Sequence, residues 1–230
     1  MRTLHLTALS LLALSASALA WAPKLDTQNV KPIIDSAYDR LPDPISTLLS
    51  VDLNVKDGKF PDGSAIKAFR GDTCLATWLA APTDYAKSGS RPVNLTLTGQ
   101  ADEIFVLAQQ ARDTFSNLSV ENALKPRDGM LPEGHLRAYL KITGLGSEKQ
   151  RNAYDVVIRA ADGKLTKAYR RAFVSDWQKD DAGRWTGSMV YYFDAAKAGV
   201  TATSKLDVLI RTEADSDCVY QVTADLARFN

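Results

Sequence analysis

Residues 136–143 read LRAYLKIT, and their alternation decides the fold class. Leu136, Ala138, Leu140 and Ile142 fall on one side, with Arg137, Tyr139, Lys141 and Thr143 on the other. A period of two places one face of a strand against a core and the other toward solvent. The pattern recurs on the carboxyl side. Tyr154, Val156 and Ile158 alternate with polar or intervening residues, and Asp162-Gly163 makes a turn into a strand read over Leu165–Phe173. Trp185, Gly187, Met189, Tyr191 and Phe193 mark another strand, followed by Leu206, Val208 and Ile210. Cys218, Tyr220, Val222, Ala224 and Leu226 mark the last. Short strands joined by polar turns predict an antiparallel β-sandwich of roughly immunoglobulin-domain size over residues 131–230.

Residues 21–130 read as a β-rich region carrying one or two short helices. Val30, Ile33, Ile34, Ala37, Tyr38 and Leu41 recur at helical spacing, with Asn29 as the expected N-cap and Pro42 and Pro44 as a stop. Strands are expected over 49–55, 74–80 and 93–97. The first ends at an Asp57-Gly58 turn, and the second rests on alternation of Cys74, Ala76, Trp78 and Ala80. Ile104, Leu107, Ala108, Ala111 and Phe115 fit a helix better than a strand, because Gln109 to Arg112 are good helix formers. Two Pro and two Gly in 126–134 read as a connection. The chain is therefore expected to be mostly β.

The first 20 residues read as a secretory leader. Arg2 is followed by an apolar run from Leu4 to Leu14, and Ala18-Leu19-Ala20 offers small residues for cleavage after Ala20. The run is short for a membrane span, and no later stretch approaches ~20 apolar residues. A periplasmic, cell-surface or extracellular location is expected. There the two cysteines, Cys74 and Cys218, read as one disulfide. A formal net charge of +1 gives no long-range steering toward nucleic acid.

No catalytic motif emerges. Of the two histidines, His5 is in the leader, which leaves His135 beside a glycine with no nucleophile pattern. No cofactor is demanded. Calcium is the one ion for which the chain offers loop oxygens, in Asp176, Asp180 and Asp181 and again in Glu213, Asp215 and Asp217. Trp177 stands among the first group in a polar stretch. Trp177, Asp176, Asp180 and Asp181 therefore form the candidate ligand site, where an aromatic face and carboxylates would suit a sugar. Lys164, Lys167, Arg170 and Arg171 read as a charged edge strand. Asn94-Leu-Thr and Asn117-Leu-Ser match the glycosylation acceptor pattern. The expected role is a non-catalytic binding or structural protein of the cell envelope or extracellular space, its partner an envelope glycan or another protein. The alternative is a secreted glycan hydrolase using paired carboxylates.

Overall fold

A computed structural model describes residues 20–69, 72–214 and 217–229, and the backbone alone of residue 72. The leader reading, His5 and Asp215 lie outside the described residues. The protein is mostly β, with two antiparallel sheets facing one another across a shared core.

The elements follow in order. Helix α1 (Thr27–Ala37) precedes β1 (Leu48–Asp52) and β2 (Ile66–Ala68). Helices α2 (Asp72–Ala80) and α3 (Tyr85–Ser88) lead to β3 (Arg91–Thr98), α4 (Gln100–Asp113) and α5 (Val120–Leu124). Strands β4 (His135–Leu145), β5 (Asp155–Arg159), β6 (Leu165–Lys167), β7 (Arg170–Phe173), β8 (Gln178–Lys179), β9 (Trp185–Asp194), β10 (Lys205–Arg211) and β11 (Val219–Asp225) complete it.

The first sheet runs β1-β3-β4-β9-β7, with β8 also paired to β9; the second runs β2-β11-β10-β5-β6. Each sheet takes strands from both sides of residue 130: β3 pairs with β4, and β2 with β11. The alternation read from the sequence is what fills the interior. Leu136, Ala138, Leu140 and Ile142 of β4 meet Val156, Ile158, Val208, Ile210 and Val222 from the facing sheet, all fully buried.

A second, smaller core lies among helices. Val30, Ile33, Ile34 and Ala37 of α1 pack on Ala101, Ile104 and Ala108 of α4 and Ala123 of α5. Helix α4 is fastened over the outer face of the first sheet. Its Glu103 pairs with Arg137 and accepts the Leu131 N–H at 2.9 Å, while Asp102 accepts the Thr47 hydroxyl at 3.1 Å.

Four local expectations need correction. Among its described residues the region 21–130 carries five helices, α1 to α5, against the one or two short ones expected from the sequence; α3 and α5 are single turns started by Asp84 and Ser119, whose side chains accept the Lys87 and Asn122 N–H groups. Helix α1 starts earlier than Asn29. Asp26 is the N-cap, accepting from the Gln28 and Asn29 N–H groups, and Asn29 returns the favour to the Asp26 N–H. Residues 74–80 are helical, not a strand. Cys74 and Trp78 lie four apart, so one buried face satisfies a helix as well as a strand, and Ala, Leu and Thr77 bonding back to the Thr73 carbonyl favour the helix. The stretch 165–173 is two edge strands, not one. The chain leaves the second sheet after β6 and joins the first as β7.

Candidate functional site

The cysteines are bonded. Cys74 on α2 and Cys218 just before β11 join with S–S 2.00 Å, 144 residues apart in sequence. Beside them opens a cleft of about 460 Å³. It is built from α2, the α3 loop, the 146–150 turn, Arg184 before β9 and the loop joining β10 to β11.

One wall is Tyr85. Gly144, at φ +90°, sits beneath it, and a Cβ there would fall 2.3 Å from the Tyr85 ring. A break in the β4–β9 register between Ile142 and Leu145 accompanies this close approach. The Arg184 guanidinium stands 5.9 Å from the same ring. Lys87 and Gln150 add polar groups.

Glu213 lines the cleft and begins a hydrogen-bonded chain that runs beneath it. Glu213 accepts the Ser90 N–H at 2.7 Å on one oxygen and the Ser90 hydroxyl at 2.5 Å on the other. With its proton directed to Glu213, the Ser90 oxygen accepts from the Tyr154 hydroxyl, 2.6 Å away. Burial, with the Glu213 charge nearby, pushes the Tyr154 phenol well above its ordinary value, so it stays a donor. Ser90 is 1% exposed. A serine beside a carboxylate resembles an activated nucleophile, but this one faces no solvent and Glu213 serves to anchor the loop.

Behind it, Arg91 donates to the Tyr220 hydroxyl at 2.8 Å and to the Ala81 carbonyl at 3.2 Å, at the end of α2. Burial pushes the Tyr220 phenol up to about 12, against the lowering effect of Arg91.

The four residues singled out in the 176–181 loop lie elsewhere. Asp176 accepts from the Ser188 N–H at 2.9 Å and its hydroxyl at 2.6 Å, and Asp180 accepts the Arg184 N–H at 2.7 Å; both carboxylates close their own hairpin. Asp181 is exposed. Trp177 is half-buried, lies against Gly187 and carries the Arg151 guanidinium 4.9 Å from its ring centre. Among the described residues, no three His, Cys, Asp or Glu are placed to hold a metal ion.

His135 contacts the Glu133 carbonyl and meets the Tyr169 ring edge-on. Arg170 lies over the Tyr192 ring, and Arg171 donates to the Asn152 and Tyr154 carbonyls. Asn94 is tied to Ser50, whereas Asn117 is exposed.

Sequence reasoning reached the cysteines and named Glu213, but missed Tyr85, Ser90, Arg91 and Arg184. The one available signal was Gly144, an isolated glycine in a strand pattern, which marks a bulge or close approach. No family model, curated protein or solved structure matches the chain. Among the described residues no helix is long and apolar enough to cross a membrane, and the formed disulfide is compatible with an exported protein.

Proposed function

We propose that the chain is an exported, non-catalytic binding protein of the cell envelope or extracellular space, and that the cleft beside Cys74–Cys218 takes its ligand. The observation that carries this reading is the way the cleft is held. A disulfide, the Ser90–Glu213 link and the Tyr85–Gly144 contact fix walls drawn from both ends of the chain. A preformed concavity of this size with a few convergent polar groups is the usual form of a small-ligand site. Tyr85 offers a ring face, and Lys87, Arg184 and Gln150 offer donors, a set suited to a polar glycan bearing anionic groups. The leader and the disulfide support export.

A glycan hydrolase would need two carboxyl groups in one cleft. Among the described lining residues Glu213 is the only one, and both its oxygens are engaged by Ser90.

Calorimetric titration of anionic and neutral envelope glycans into residues 21–230 tests the proposal. Saturable binding that weakens about tenfold or more in Arg184→Ala and Tyr85→Ala supports it. Binding that is unchanged in both variants, or found with none of the glycans, counts against it.

A further inference from the structure

Arg91 is the only charged residue more than nine-tenths buried among those described, at 5% exposure. Its two terminal nitrogens serve Tyr220 and Ala81. Its Nε–H is also buried and has no hydrogen-bond partner, and no described carboxylate forms an ion pair with the group. The Ala81 carbonyl and the negative end of α2 offset part of the charge. They leave a guanidinium with one donor idle in a region where an unpaired charge is costly. Tyr220 does not fill the gap, because its phenol stays neutral.

Arg91 also lines a second recess of about 130 Å³, which shares Tyr85 and Tyr220 with the cleft and is otherwise lined by different residues. Asn54, Thr83, Tyr85, Thr143 and Tyr220 line it with Arg91. That volume leaves room for a small ion such as acetate or phosphate, since a single water needs only about 10–15 Å³ on the same measure.

We infer that this recess is a binding site for a small oxyanion, with Arg91 supplying the charge and its Nε–H. A guanidinium is the side chain best matched to the geometry of an oxyanion, and a charge-assisted hydrogen bond there would satisfy the idle donor. Thr83 stands on the recess wall as a further polar group, while the Asn54 amide there already donates to Asp52 and the Val93 carbonyl. The inference does not rest on the cleft reading. Arg184 lines the cleft but not the recess, so its removal leaves the anion site intact.

The test follows the Arg91 Nε–H resonance by NMR while the protein is titrated with acetate or inorganic phosphate at constant ionic strength in chloride. The expected result is a saturable movement of that resonance with at least one probe, and a rise in Tm along the same concentration curve. Response to acetate alone identifies a planar carboxylate as the ligand group; response to phosphate alone identifies a tetrahedral one. In Arg91→Gln the Tm response should be about tenfold weaker or lost, as expected for removing a charge-assisted hydrogen bond. The Arg184→Ala protein should respond like the wild type. A wild-type resonance that neither probe moves overturns the inference, whether or not Arg91→Gln folds. So does a Tm rise of equal size in the wild type and a folded Arg91→Gln protein.

Discussion

Trp78 and Tyr220 lie face to face, with ring centres 3.6 Å apart and planes 6° from parallel. One ring comes from α2 and the other from β11, the strand that Cys218 immediately precedes. Stack and disulfide therefore hold the same helix to the same sheet. Trp78→Ala should cost about 3–5 kcal/mol, the usual range for emptying a buried aromatic site. Denaturant unfolding with the disulfide intact measures it. A loss below about 1 kcal/mol would place α2 outside the cooperative unit.

Removing the disulfide acts chiefly on the unfolded chain. A loop of 144 residues gives up to about 5 kcal/mol in the chain-entropy model. The Cys74→Ser/Cys218→Ser protein should keep its far-UV circular dichroism and unfold at a lower guanidinium concentration. Adding reductant to the wild type should reproduce the shift, and an unchanged midpoint in both would refute the stated role.

Gly144→Ala should damage the cleft specifically. The substitution strains a backbone at φ +90° and drives the Tyr85 ring from its seat. Gly163 has φ +80° and no atom within 4 Å of a Cβ, so Gly163→Ala carries the backbone strain alone. Gly144→Ala should be the more destabilising by about 1–3 kcal/mol, the range for forcing extra atoms into a packed site. It should also weaken ligand binding in the cleft, while Gly163→Ala should not. Equal effects on both would mean that Tyr85 yields freely.

Two aspartates should bend the acid limb of stability in opposite directions. Burial alone would raise the Asp207 carboxyl, but hydrogen bonds from Thr223 and Arg159, both at 2.7 Å, outweigh it and hold the group below its ordinary 3.8. A lowered folded-state pKa contributes stability above the unfolded value and loses it as pH falls through the folded one. Burial raises the Asp102 carboxyl, only partly opposed by Thr47 and Arg137. Its contribution is greatest below the unfolded value and disappears as pH rises through the folded one. Asp207→Asn should thus be less stable than wild type at neutral pH, with the gap closing in acid. Asp102→Asn, which keeps the acceptor for Thr47, should compare best with wild type at neutral pH and lose that advantage in acid. Parallel curves of unfolding free energy against pH for both variants and the wild type would contradict the assignment.

The strands of the carboxyl half were legible because their two faces meet different surroundings. A helix cannot explain apolar residues at 136, 138, 140 and 142 with Arg137, Tyr139 and Lys141 between them. The stretch 74–80 was not, because a nine-residue helix burying Cys74 and Trp78 shows too few turns to separate a period of four from a period of two. The break at 168–169 was invisible for another reason. Lys167 and Arg170 read as one edge strand, and both do lie at sheet edges, but nothing local says that the edges belong to different sheets. The cleft was hidden more deeply. Ser90 and Glu213 pair across 123 residues, Arg184 meets Tyr85 from just before the distant strand β9, and no spacing within a single element announces them. Trp177 looked exposed because its neighbours are polar, yet Gly187 from the paired strand gives its ring a seat.

The second sheet has a consequence for how the chain comes into being. Strand β2 lies in the first third of the chain, and among the described residues its strand neighbour is β11. Nearby, the Trp21 N–H reaches the Leu226 carbonyl at 2.9 Å. A ribosome releases the amino end first, so β2, Trp21 and the Cys74 thiol all spend most of synthesis waiting for partners not yet made. Nothing on that side of the molecule can close until residues 218–226 have emerged. This side of the molecule is therefore finished last, and the Cys74 thiol stays unspent until the end of the chain reaches it.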